Sequence, residues 1–88
     1  MTNNTTNTST DKSISFDIQE HLGVLSTSQT GWTKEANIVS WNERPAKLDI
    51  RDWNPEHNKM GRGIGLNGSE IAILKEILKD ANIVELGI

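Results

Sequence analysis

The chain has 88 residues, of which 34% are hydrophobic, with no cysteine and a net charge of −3. That length allows one small domain, close to the lower limit for a chain that folds alone, so extra burial against a partner copy is expected. Lack of cysteine excludes a disulfide scaffold, a thiolate zinc site and a cysteine nucleophile, and no apolar run is long enough for a membrane-spanning helix.

Residues Thr2 to Asp11 are almost all Thr, Asn and Ser. Ordering them would cost ~1–2 kcal/mol of backbone entropy per residue with nothing buried in return. Residues 1–13 therefore read as a disordered polar tail with no hydrophobic signal region, and 14–88 as the domain. A cytoplasmic protein, free or associated with the nucleoid, is the expectation. From Ile14 the even positions turn apolar (Ile14, Phe16, Ile18, Leu22, Val24), with Ser15, Asp17, Gln19 and His21 between them, which predicts a half-buried strand. Thr27 to Gly31 is a turn by composition. Thr33 to Asn42 reads as a second strand whose imperfect alternation suggests a bulge or bend. After a short connection through Pro45, Lys47 to Trp53 alternates cleanly: Leu48 and Ile50 point one way, and Lys47, Asp49, Arg51 and Trp53 the other. Asn54-Pro55 ends that strand, and Gly61 to Leu66 is a short fourth one. Asn67 with Glu70 three residues on is a capping-box start to a helix carrying Ile71, Leu74, Leu78 and Ala81, widened by Ile73 and Ile77. The tail residues Ile83, Val84, Leu86 and Ile88 are apolar enough to pack on something, a second subunit included. The order is β-β-β-β-α, an α+β domain.

Charge is unevenly spread. From Trp32 to Arg62 the basic residues Lys34, Arg44, Lys47, Arg51, Lys59 and Arg62 outnumber the acidic Glu35, Glu43, Asp49, Asp52 and Glu56, while the flanks are acidic; all three tryptophans lie in that middle segment. An acidic average thus conceals a basic, aromatic stretch of the kind an anionic ligand would meet. Trp53 shares a face with Lys47 and Arg51, where an indole can stack on a base while the cations meet phosphates; stacking is worth ~1–3 kcal/mol per base and tolerates any sequence. Trp32 and Lys34 repeat the pairing, and Arg62 between two glycines could reach a phosphate. From this pattern alone, a single-stranded nucleic-acid surface and a purely structural cation–π surface both stay open, and Trp41 fits a core position as well as a stacking one.

Other motifs carry less. Gly63-Ile64-Gly65-Leu66-Asn67-Gly68 is a literal GxGxxG before a helix, but its lead-in is Glu56-His57-Asn58-Lys59-Met60-Gly61-Arg62 rather than a buried apolar strand, so the glycines are expected to serve close backbone approach and not a dinucleotide. His21 and His57 have no ligand spacing with any carboxylate and read as surface residues. No nucleophile motif or metal set is present in the sequence, so no catalysis, cofactor or metal is expected.

The segments Trp41-Asn42, Lys47-Leu48-Asp49-Ile50-Arg51-Asp52-Trp53 and Met60-Gly61-Arg62-Gly63-Ile64-Gly65-Leu66-Asn67 together resemble the C-terminal domain of the transcriptional coactivator positive cofactor 4 (p15) family, most closely its compact bacterial, YdbC-like branch. Gly31-Trp32, Val39-Ser40-Trp41-Asn42, Asn54-Pro55-Glu56-His57 and Lys59-Met60-Gly61 are similar to that branch as well. The likeness runs from Phe16 to Lys79. It implies a curved, four-stranded antiparallel sheet backed by a C-terminal helix, the fold of single-stranded DNA-binding transcriptional regulators and Whirly-like proteins, assembled as a homodimer with concave channels. It further implies binding of single-stranded DNA with little sequence dependence, with no enzyme activity. By position, Trp53, Arg51, Trp41 and Lys47 match the family's aromatic and basic sites, and Trp32, Lys34, Lys59 and Arg62 match only the bacterial branch. The basic, serine-rich arm of eukaryotic members is replaced by the uncharged tail, which puts activator contacts and phosphorylation control in doubt. Two rivals stand beside this expectation: an RNA-binding domain on the same sheet, and a protein-interaction module using the apolar helix and tail.

Overall fold

The computed structural model describes residues 14–87; the polar tail and Ile88 lie outside the described residues. Four strands, β1 (Phe16–Thr27), β2 (Thr33–Trp41), β3 (Lys47–Trp53) and β4 (Met60–Leu66), are followed by helix α1 (Gly68–Asp80) and a single-turn helix α2 (Ile83–Leu86). The strands form one antiparallel sheet in sequence order β1-β2-β3-β4, so every connection is a hairpin. The α+β layout and the third strand's bounds agree with the sequence reading. No helix among the described residues is long and apolar enough to cross a membrane.

The turns explain the hairpins. Gly31 takes φ +88° and its N–H donates to the Ser28 carbonyl (3.0 Å), closing the β1–β2 turn. Asn42 and Glu43 both have positive φ, the pattern of a primed two-residue turn whose twist suits a hairpin, and the Arg44 N–H closes it onto the Trp41 carbonyl at 2.9 Å. Asn67 caps α1 as expected: its side-chain oxygen accepts from the Glu70 N–H (2.9 Å) while the Glu70 carboxylate accepts from the Asn67 N–H (2.8 Å).

β1 departs from its expected period of two. Its register against β2 shifts between Ile18 and Glu20, His21 and Gly23, and Val24 and Ser26. Gln19, Leu22 and Leu25 are thereby left as the extra residues of three bulges, and the face of Phe16 and Ile18 continues through His21 and Val24. Alternation along the sequence had placed His21 on the other side and Leu22 with Ile18.

The two faces of the sheet differ in chemistry. Pairings Thr33↔Trp53, Glu35↔Arg51, Asn37↔Asp49 and Val39↔Lys47 put these residues on one face together with Phe16, Ile18 and His21. Ala36, Ile38, Leu48, Ile50, Ile64 and Leu66 share the opposite, apolar face, and α1 touches the sheet at β3. Among the described residues the buried apolar side chains are Val39 and Trp53, and Glu35, Asn37 and Asp49 are buried beside them. Burial on this scale is small for one chain. Ile73, Ile77 and Leu78 of α1 stay more than half exposed, and Val84 is 90% exposed.

Candidate nucleic-acid interface

The polar face is organised around a row of rings. The Arg51 guanidinium lies 4.5 Å over the Trp41 ring; Trp41 meets Phe16 at 5.7 Å; Phe16 meets Trp53 at 5.3 Å; and Trp53 stacks on His57 at 5.6 Å with 21° between planes. Cross-strand register brings Phe16 opposite Trp41, and the β3–β4 turn folds His57 back over Trp53. Such offset and tilted contacts are the geometry aromatic quadrupoles favour, and the guanidinium over an indole adds a cation–π attraction.

Two buried carboxylates sit within this face, each neutralised differently. Asp49 receives both forks of Arg51, Nε at 2.7 Å and a terminal nitrogen at 2.8 Å, while the other terminal nitrogen donates to the Gly61 carbonyl at 3.2 Å. Bidentate pairing of this kind satisfies a buried carboxylate and fixes the guanidinium plane. Glu35 accepts from the Thr33 hydroxyl, from the Asn37 amide (3.2 Å) and from His57 Nε2 (2.8 Å), and His21 Nδ1 lies 3.6 Å away. Burial alone would raise the Glu35 pKa, but the hydrogen bonds from Thr33, Asn37 and His57 and the charge on His57 outweigh it and hold the carboxyl below its ordinary value of 4.5. Beside this cluster opens a hollow of about 470 Å³, with Ile18, Val24, Gly31 and Pro55 on its walls and His21, Glu35 and His57 at its polar side.

The residues singled out in the sequence do not form one surface. Trp41, Lys47, Arg51 and Trp53 do share the polar face. Lys34 and Arg62 instead point to the other side, where they border a depression with Ile50, Asp52 and Ile64 that Arg51 also lines, and Trp32 lines a second depression with Lys34 and Asp52. Lys59 lies in the β3–β4 turn, its N–H bound to the Asn54 side-chain oxygen at 2.8 Å. Two roles need correction. Trp53 was expected to offer its ring to a ligand; strand alternation gave the right face, but Phe16 from β1 and His57 from the turn cover it to 0% exposure. Its indole N–H has no acceptor among the described residues. Arg51 was expected to neutralise phosphate, and most of its N–H groups are instead committed to Asp49 and Gly61.

Sequence reasoning missed only the convergence of the histidines on Glu35. His21 and His57 are exposed, as expected of surface residues, with 53% and 41% of their side chains accessible, but both approach one buried carboxylate. The bulges that bring His21 onto the face of Glu35 and the left-handed backbone at His57 (φ +58°) leave no periodic trace. Of the motif's glycines, Gly63 behaves as read: a Cβ there would lie 2.6 Å from the Ile50 carbonyl oxygen, so close strand approach requires glycine, whereas a Cβ on Gly65 would meet only ordinary contacts and one on Gly68 open space.

A sequential four-stranded antiparallel sheet followed by a C-terminal helix, with indole and guanidinium stacked on one face, defines a β-β-β-β-α sheet protein. The chain belongs to the transcriptional coactivator p15 (PC4) family, whose sequence model matches residues 28–77. It is also 41% identical over 68 residues to an uncharacterized protein of Treponema pallidum (strain Nichols), a match covering 77% of this chain and 80% of that one.

Proposed function

We propose that the protein is a non-enzymatic single-stranded DNA-binding protein with little sequence preference, as its family membership suggests. The observation that carries this reading is the partly buried Trp41 ring braced by Arg51 at 4.5 Å, with the exposed Lys47 on the same face. A fixed indole offers a π-surface to any base, and a neighbouring ammonium supplies the phosphate contact. Lys59 at the adjoining turn extends the positive rim, and Lys34, Arg62 and Trp32 offer a second contact line on the other side of the β2–β3 ribbon. Arg51 acts chiefly through Trp41, which it holds in place.

A homodimer is part of the proposal. The outward apolar side chains Ile73, Ile77, Leu78, Ile83 and Val84 form a stripe that a second copy would cover, and covering it would supply the burial that one chain lacks. The test is a fluorescence titration with oligo-dT and with duplex DNA of the same length at several salt concentrations. Tighter binding to the single strand is expected, with log affinity falling against log salt by about 0.7 per phosphate neutralised. Equal affinity for duplex, or no response at low salt, overturns the reading, and an RNA oligomer of equal length separates DNA from RNA preference.

A further inference from the structure

We propose that the hollow between β1 and the β3–β4 turn is a nucleobase pocket, with the outer face of the His57 ring as its stacking platform. This rests on the single-strand-binding reading above and assigns it a residue and a subsite of its own.

The turn is built to hold that ring. His57 adopts a left-handed backbone (φ +58°), uncommon for a non-glycine residue although histidine is among those that take it most readily. Here the buried Asn54 holds it in place. Its side-chain oxygen accepts from the N–H groups of Asn58 (2.9 Å) and Lys59 (2.8 Å), and its carbonyl accepts from the His57 N–H (2.9 Å). The ring so placed is fixed on two further sides. One face lies on Trp53, and Nε2 is held by Glu35 at 2.8 Å. With 41% of the side chain exposed, the ring stays open to solvent on the sides that Trp53 and Glu35 do not cover. An imidazole immobilised on an indole in this way needs no further ordering when a base stacks on it, so little conformational entropy opposes the contact.

The lining tells which part of a nucleotide fits. The walls are mainly apolar, the volume of about 470 Å³ is within the range of small-ligand sites, and no lysine or arginine lines it among the described residues. The carboxylate at its polar side would repel a phosphate. Glu35 already accepts from Thr33, Asn37 and His57, so it makes no demand on a ligand beyond orienting His57. An uncharged aromatic ring is the part of a nucleic acid that matches these surroundings. The phosphates then run along the rim, where Lys59 leaves the same turn.

The test pairs His57→Asn with a scan of oligo-dT in which single bases are replaced by abasic sites. Asparagine tolerates the left-handed backbone and can still donate an amide N–H toward Glu35, so the variant removes the ring with least disturbance of the turn. His57→Asn should weaken binding by about 5- to 100-fold with an unchanged salt slope, and at one abasic position wild type and variant should become equal. Wild-type affinity in the folded variant, a reduced salt slope, or tighter binding would each overturn the proposal; the last would mean that His57 merely covers Trp53. Should the variant fail to fold, the wild-type His57 ring protons decide by NMR: stacking shifts them upfield when oligo-dT is added, and an absence of shift refutes the platform. Wild type that binds oligo-dT with no such effects at His57 sinks this inference alone, whereas wild type that does not bind sinks the underlying reading with it.

Discussion

Replacing Trp53 separates a ring that supports the sheet from one that meets a ligand. The side chain is wholly buried, between Phe16 at 5.3 Å and His57 at 5.6 Å, and its N–H is unpartnered among the described residues. Truncating a buried tryptophan costs ~3–5 kcal/mol, out of a total on the order of 5–10 kcal/mol for a domain of this size. Each kcal/mol moves the melting temperature of such a domain by about 4–8 °C. Trp53→Ala should therefore melt roughly 15–30 °C below wild type at equal protein concentration. Trp53→Phe should behave differently. It loses part of the ring's volume but also removes a buried orphan donor, whose desolvation costs ~1–3 kcal/mol, so its melting temperature should fall by less than about 10 °C. Its affinity for oligo-dT, measured where it is folded, should stay close to wild type because the ring is sealed from solvent. The decisive measurements are thermal melts followed by circular dichroism and anisotropy titrations of labelled oligo-dT. A Trp53→Ala protein that melts like wild type yet loses oligo-dT affinity would refute the reasoning and return Trp53 to the ligand-facing set.

Three other outcomes follow from the geometry. Gly63→Ala would place a Cβ 2.5 Å from the Arg51 Cβ and 2.6 Å from the Ile50 oxygen; overpacking against a paired strand costs ~1–3 kcal/mol, to be read from urea unfolding at unchanged m-value, and a neutral result would mean that β4 does not pair as described. Because the Glu35 carboxyl is held below its ordinary value of 4.5, its contribution to stability is complete above that value and is lost as pH falls through the lowered one; the acid limb of a melting-temperature profile should be shallower in Glu35→Gln, and an identical limb contradicts the assignment. Ile77→Asp, at a position 59% exposed in one chain, should leave the sheet folded but shift sedimentation from dimer to monomer, whereas an unchanged dimer would place the contact elsewhere.

How much of this was legible in the sequence depends on what fixes each feature. β3 obeys strict alternation because both neighbours pair with it in register along most of its length, so Leu48, Ile50, Arg51 and Trp53 could be assigned to faces directly. The helix start was legible because a capping box is a local exchange of two hydrogen bonds between Asn67 and Glu70. β1 was not legible in phase: as an edge strand with three bulges it advances by three residues per pair of partners, and a period-two reading fails after Ile18. Exposure was not legible either. Alternation tells which face a side chain takes, while its covering depends on what folds over that face, and Trp53 is covered by one residue from β1 and one from a turn.

The buried polar residues explain why that face stays specific despite its small apolar core. Asn37 and Asp49 are cross-strand partners in the β2–β3 ribbon and Glu35 lies one level along, and each is satisfied: Glu35 by Thr33 of its own strand and His57 of the β3–β4 turn, Asn37 by His21 of β1 at 2.6 Å, and Asp49 by Arg51 of its own strand. A slip of one residue between β2 and β3 would turn one strand's buried polar residues toward the apolar face and part Glu35 from His57. Buried charge left unpaired costs several kcal/mol, more than most single apolar contacts return. The network thus penalises wrong pairings, and it aligns Arg51, Trp41 and His57 along one face. Asp49→Asn tests this directly: it would free the Arg51 guanidinium, loosen its hold on Trp41 and add one positive charge to the face. Oligo-dT binding should then show a steeper salt dependence, by about 0.7 in slope for one further phosphate contact, together with a lower melting temperature. An unchanged slope with an unchanged melting temperature would mean that the Asp49–Arg51 pair neither orders the sheet nor restrains the cation.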